Sequence, residues 1–349
     1  MKKLRFAVLV TVALVLGACS SPPPKTTSTV LMPAKAEEAT RLRNVAVLRF
    51  DITSGTDITP EVESVIASVR VNGRPYFRLV ERARINEAFR ELRLVERAAV
   101  DASVASKLGK LVSANGLYMG VVTKDGVQDQ YYQETRSDCV QYEQKKDKKG
   151  NSYDGRCLRF NNRQVQCIRR VASFEFVPKL LDVSTAEVTY SRTITGSSEH
   201  KSCPDAGTPL KSADELRTQS RQAALRQFRE DVAPFERSVD IRLLNITDGL
   251  TPGGRVRFSG ALEFAQANRM DRACEIWRDL LSQESTSPSI MYNLGTCAET
   301  RGNLPEAFDW YSRADKLLPR PDNIVNEGLS RVRILIDNSE RARSQTRTK

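Results

Sequence analysis

Short apolar runs alternate with helix-like spacing over residues 44–123. Asn44 to Phe50 is an apolar run suited to a strand buried on both faces. Pro60 opens a helix that puts Val62, Val65, Ile66 and Val69 on one face, and Tyr76 to Glu81 reads as a second strand. Ile85, Ala88, Phe89 and Leu92 mark a second helix, Val104, Leu108, Leu111 and Val112 a third, and Leu117 to Thr123 a third strand. Strands alternating with amphipathic helices predict an α/β domain, a mixed sheet with helices packed against it.

Further on, the period changes. Ala172, Phe174, Phe176 and Leu180 alternate with polar residues, as do Val188, Tyr190 and Ile194 beyond a turn near Ser184. This predicts an antiparallel hairpin with one covered face. Ser212 to Glu215 matches a capping box and leads a helix carrying Leu216, Ala224, Phe228 and Val232. Val239, Ile241 and Leu243 then alternate as a closing strand. Residues 254–321 repeat with a period of 34: Ala273 matches Ala307, Trp277 matches Tyr311, and Ala261 matches Gly295. That period, with Leu294-Gly295, Ala307, Tyr311, Ala314 and Pro319 in place, resembles tetratricopeptide repeats and predicts a second, all-α domain. Val325, Leu329, Val332 and Ile336 form an amphipathic helix able to cap the stack.

Four stretches carry a resemblance across the first domain. Asn44 to Asp51, Phe77 to Arg82, Lys107-Leu108-Gly109 and Asn115 to Gly120 are similar to the core motifs of the CsgG (curli-secretion lipoprotein) family. The resemblance covers roughly residues 44–245 and implies an α/β periplasmic domain, ring-like self-assembly, and a role in export or envelope assembly. A related branch with a similar domain activates cell-wall synthases and forms no pore. Channel members build a barrel from two extra hairpins, whose strands need about 9–11 residues alternating apolar-out. Residues 127–170 instead show little alternation and hold nine cationic side chains between Lys145 and Arg170 alone, and Gly196 to Leu210 is short and polar. Each Arg or Lys on a lipid face at mid-depth costs about 2–4 kcal/mol. An export channel is therefore the alternative reading, behind an adaptor.

The amino terminus changes where the protein works. Lys2, Lys3 and Arg5 precede an apolar run, Phe6 to Leu16, that is about half of the ~20 residues a spanning helix needs. Leu16-Gly17-Ala18-Cys19 resembles the lipobox of bacterial lipoproteins, which implies cleavage before Cys19 and acylation of it. No Asp follows Cys19, so the resemblance implies the outer membrane, with the anchor in its inner leaflet and the body facing the periplasm. The expected organisation is signal peptide 1–18, lipidated flexible tether 19–43, α/β domain 44–249 and repeats 254–340. Cleavage lowers the formal charge from +11 to +8. Secretion removes nucleic acid as a partner for this basic chain. The basic insert is left with lipid headgroups, cell-wall polymer or plain solvent.

Beside Cys19 there are six cysteines, an even number in an oxidising compartment. Cys139 and Cys157 flank a Lys145–Gly155 loop, and Cys167 and Cys203 flank the turn at Ser184. Hairpin symmetry pairs them in that order. A zinc site from the four lacks the usual ligand spacing. Cys274 and Cys297 fall on neighbouring predicted helices, where either bonding or packing fits. His200 is the only histidine, beside Glu199 and Lys201, and no nucleophile elbow, phosphate loop, dinucleotide fingerprint or metal-spaced cluster accompanies it. The sequence thus predicts a binding protein with no catalytic residues, cofactor or metal. Its expected partners are envelope proteins held in the repeat groove, with Tyr292 and Thr296 on the inner face of the second repeat's first helix.

Overall fold

The computed structural model describes residues 24–93 and 102–347. They divide into two compact units, residues 31–236 with 338–347, and residues 24–30 with 237–337. The first element, β1 (Lys25–Met32), corrects the predicted tether. Thr26, Ser28 and Val30 are buried and alternate with exposed Lys25, Thr27 and Thr29. This is a strand period written in Thr and Ser, which a hydropathy reading does not register. A turn at Glu38–Arg41 also buries Ala39 and Thr40.

The α/β unit contains β2 (Asn44–Val47), β3 (Asp51–Ile52), α1 (Thr59–Ser68), the short pair β4 (Arg70–Val71) and β5 (Arg74–Pro75), and β6 (Arg78–Leu79). It continues with α2 (Arg82–Glu91), α3 (Ala102–Leu111), β7 (Gly116–Lys146), β8 (Ser152–Asp182), β9 (Glu187–Ser191), β10 (Ile194–Ser202) and α4 (Ala213–Val232). The main sheet runs β10-β8-β7-β2-β6, with β3 added to β7 and β9 to β8. It is mixed: β2 lies parallel to β6 and β7, whereas β8 is antiparallel to β7, β9 and β10.

The buried run in β2 feeds two cores, because successive strand residues point to opposite faces. Val45 and Val47 join Val62 and Ile66 of α1 and Phe228 and Val232 of α4. Ala46 and Leu48 join Ile85 and Phe89 of α2 and Leu108 of α3 on the other face. The sequence pattern predicts these helices, including the start of α4, where the Ser212 hydroxyl accepts the Glu215 N–H at 3.1 Å. α4 lies so close to β10 that a Cβ on Gly196 would stand 2.0 Å from the Ser220 carbonyl oxygen. The predicted third strand, Leu117 to Thr123, is the first part of a strand four times that length, since β7 continues to Lys146.

The second unit holds β11 (Phe235–Arg242), α5 (Pro252–Gln266), α6 (Met270–Leu281), α7 (Pro288–Thr300), α8 (Leu304–Leu317) and α9 (Asn323–Thr346). β11 is the predicted closing strand, but it pairs with β1 in a separate two-stranded sheet. Leu243, just after it, packs with Phe258, Trp277 and Leu294 of the helices. The predicted boundaries at 249 and 254 therefore move to about residue 237. Alternation identifies a strand but not its neighbour. The matched repeat positions Ala273, Ala307, Trp277 and Tyr311 are all fully buried. At Gly295 a Cβ would come within 2.6 Å of the Tyr311 ring, so glycine permits the α7–α8 contact.

Candidate interaction site

A long hairpin with exposed outer strands grows out of the main sheet of the α/β unit. β10 accompanies β8 only over Ile168 to Phe176, and β3 leaves β7 at Val122. Among the described residues, Tyr132–Lys146 and Ser152–Cys167 therefore pair only with each other. Some fifteen residues per strand, at about 3.4 Å each, make a ribbon about 50 Å long. A lone two-stranded hairpin is marginally stable in water, so this one needs other support.

Two disulfides supply it. Cys139 and Cys157 are joined at 1.95 Å near the turn, and Cys167 and Cys203 at 2.02 Å where the ribbon meets the sheet. By chain entropy, closures of 18 and 36 residues stabilise by roughly 3 and 4 kcal/mol. Glu134 lies beside the second pair, but those sulfurs are spent on each other and are not free to ligate a metal. The loop carrying Cys203 adds a charge clamp. Asp205 receives Arg136 at 3.2 Å and Arg163 at 3.0 Å, and Arg163 also reaches Asp138 at 2.6 Å. Partial burial pushes the Asp205 carboxyl up, and the two arginines more than offset this, so it titrates below the ordinary range. At the turn, Asp147 is also held down, by the N–H groups of Asn151 and Lys149.

Covalent and ionic support leaves the outer surface unused. Tyr131, Val140, Tyr142, Tyr153, Leu158 and Phe160 are exposed, with Tyr131 at 66% and Phe160 at 60%. Around them stand Lys145, Lys146, Lys148, Lys149, Arg156 and Arg159. Exposed apolar side chains that form a contiguous patch mark a site of contact with protein or membrane. The cysteine spacing predicts a disulfide-stapled hairpin insert here, but not that its strands run unbroken from the main sheet. The low hydropathy of a two-sided exposed ribbon gives no period-two signal.

The predicted groove residues lie elsewhere and are not accessible. Tyr292 and Thr296 are both fully buried. The Tyr292 ring lies 4.5 Å from that of Tyr311, and the Thr296 hydroxyl is 3.2 Å from the Tyr311 hydroxyl. α9 closes over them: a Cβ on Gly328 would come within 2.8 Å of the Tyr292 ring. The expectation of an open inner face on α7 is thus corrected, because the capping helix lies across it. Behind these rings Glu299 is also fully buried. It accepts two bonds from Arg331, both at 2.9 Å, and one from Tyr311 at 2.7 Å. Cys274 and Cys297 are bonded at 2.01 Å, tying α6 to α7. His200 accepts the Lys211 N–H at 3.4 Å, and Glu81 lines an open cleft of about 510 Å³ with Arg78, Arg84 and Ser113. Cys19 lies outside the described residues.

A family profile described as "Curli production assembly/transport component CsgG" matches residues 34–209. A second, described as "Domain of unknown function (DUF6340)", matches residues 259–341. No match is found among curated proteins. Among solved structures, the chain is similar to the LpoB C-terminal domain from Salmonella enterica, at 11% identity over 44% of this chain and 81% of that one, with a TM-score of 0.25. It is also similar to lipoprotein GNA1162 from Neisseria meningitidis, at 12% identity over 53% and 97%, with a TM-score of 0.27. A PelC dodecamer from Paraburkholderia phytofirmans aligns at 15% identity over 59% and 96%, with a TM-score of 0.24.

Proposed function

The chain belongs to the curli production assembly/transport component CsgG family, and from that premise we propose that it is an adaptor of an envelope machine. In this reading it is a lipoprotein anchored through Cys19 to the outer membrane and facing the periplasm. It recruits or organises other envelope proteins by binding, without catalysis, cofactor or metal. The machine serves secretion, surface-fibre assembly or cell-wall synthesis. The helical unit, whose repeat spacing resembles tetratricopeptide repeats, enlarges the surface available for partners.

The observation that carries this reading is the stapled ribbon. Two disulfides and an Asp205 clamp hold a polar hairpin that the fold of the sheet does not require. Its long edges leave backbone donors and acceptors free for an added strand. An export channel would put one ribbon face in lipid. Arg159 and Arg163, several residues from the turn, would each cost about 2–4 kcal/mol on a lipid face near mid-depth, which opposes that use.

The test is site-specific photocrosslinking in intact cells, with a photoreactive amino acid in place of Tyr142 or Phe160, both exposed on the ribbon. Discrete crosslinked envelope proteins at both positions, absent without illumination, are the expected outcome. Crosslinks to lipid alone, with conductance of the purified protein across planar bilayers, would favour the channel and overturn the adaptor.

A further inference from the structure

The helical unit leaves one face of α5 bare. Val256 is 74% exposed and Phe264 39%, and a Cβ on Gly260, midway between them, would meet nothing within 4 Å. The 34-residue period shows how the same row is used elsewhere. One period later stand Ile290, Leu294 and Ala298 of α7, all buried. Ile290 and Leu294 join Trp277 and Leu280 of α6 in one core. The row that α7 packs inside the unit is therefore left in the open on α5, where an end repeat ordinarily carries polar residues.

This face is symmetric about Gly260. An α-helix turns about 100° per residue, so Val256 and Phe264, four residues either way, lie about 40° to opposite sides of it. Arg257 and Glu263, three residues either way, lie about 60° to opposite sides. Apolar thus answers apolar, and cation answers anion. Gly253 and the capping residue Ala267, seven residues either way, are both small. All six flanking residues are exposed. Glu263 forms no ion pair among the described residues, and Arg257 makes an exposed one with Asp279 at 3.6 Å.

We propose that α5 is a self-association surface, packing antiparallel against α5 of a second copy of this chain on a twofold axis through Gly260. Such an axis sets each residue against the one equally far from Gly260 on the other side. Val256 of each copy meets Phe264 of the other, and Arg257 meets Glu263. The two Gly260 positions face each other at the centre, where the missing side chains permit a close approach. Each contact occurs twice, so the charge complementarity of the pair is doubled. A helix of another protein would have no need of a face that matches itself. This surface is separate from the ribbon, and the proposal stands or falls without it.

A single helix pair is a small interface and holds weakly, so the contact is best trapped covalently. The full chain carrying Gly260→Cys is expressed in intact cells and treated with a mild oxidant. The twofold axis brings the two introduced thiols together, and the expected product is a disulfide-linked homodimer, identified by mass from a non-reducing gel. Ser259→Cys, exposed and about 100° round the helix, should stay monomeric. The native cysteines are common to both variants and cannot account for a difference. In the Gly260→Cys chain, Arg257→Glu sets like charges against each other at both contacts and should lower the dimer yield roughly tenfold. Glu263→Arg should do the same. The two reversals together exchange the charges and restore the yield. Neither a foreign helix nor loss of the Asp279 contact would give that rescue. A monomer at Gly260→Cys, an equal dimer at Ser259→Cys, or a double reversal no better than the single ones overturns the proposal. An adduct with a different protein at Gly260→Cys assigns the face to that protein and overturns it as well. None of these outcomes bears on the photocrosslinks from the ribbon.

Discussion

Replacing Arg331 by Met should strongly destabilise the helical unit, because it breaks a buried ion pair with Glu299. Met keeps most of the aliphatic volume and removes the charge, leaving Glu299 with no exposed surface and only the Tyr311 hydroxyl as a donor. Breaking a buried pair by removing one partner costs about 3–5 kcal/mol, against a total stability of about 5–15 kcal/mol for a domain. Glu299→Gln is milder, at roughly 1.5–3 kcal/mol, because the Arg331 side chain is 17% exposed and can be partly hydrated. The double change Glu299→Leu with Arg331→Met removes both charges and leaves one hydroxyl to satisfy, which Thr296 partly does. It should therefore be less destabilised than Arg331→Met alone. The chain has two tryptophans, Trp277 and Trp310, on α6 and α8. Urea unfolding followed by their fluorescence thus reports this unit. With a slope of about 1–3 kcal/mol/M, the midpoint should fall by at least about 1 M. A midpoint within experimental error of the native chain, or a double variant worse than the single one, would refute the reasoning.

Tyr292→Ala should lower stability by about 3–5 kcal/mol through the cavity left against Tyr311, whereas Tyr292→Phe should be neutral or better, because the hydroxyl has no hydrogen-bond partner among the described residues. Burial raises the Tyr292 pKa to about 12, so the neutral phenol is favoured in the fold. Its contribution is complete below pH 10 and is lost as pH rises towards 12, and alkaline urea titrations should show that loss shrink in Tyr292→Phe. The paired change Cys139→Ala and Cys157→Ala should raise hydrogen exchange in the outer ribbon while leaving the main sheet protected; unchanged exchange there would mean that the ion pairs suffice. Cys19→Ala should release the protein from membranes or leave its signal uncut, and cell fractionation with mass measurement of the amino terminus decides it.

The helices of both units were legible because their apolar faces recur at 3.6 residues, and the capping box at Ser212 marked the start of α4 to the residue. β2 was legible as an apolar run for the reason that it is buried on both faces. Two kinds of feature were not. β1 is a buried strand made of Thr, Ser and Val, so no hydropathy contrast announces it. The ribbon is exposed on both faces, so it needs no alternation, and its cations hid a strand running from Gly116 to Lys146. For the candidate site, cysteine spacing spoke to the staples, but the predicted groove failed at Tyr292 and Thr296. A repeat pattern says which helix face meets its neighbour, not whether α9 then lies across the next one.

The ribbon also dictates an order of events when the chain folds under oxidising conditions. Its turn, Asp147–Asn151, closes a loop of only a few residues, and every further pair of β7 and β8 adds to contacts already made. Hairpins zip from the turn in about 1–10 μs, whereas thiol oxidation takes seconds or longer. Cys139 and Cys157 are therefore neighbours before either reacts, and the nearer pair closes without a search. Cys203 reaches Cys167 only after β9 and β10 have returned along β8. A chain caught between the two oxidations has its ribbon in final register with one thiol pair still open, and that species is the substrate a disulfide-forming catalyst would meet.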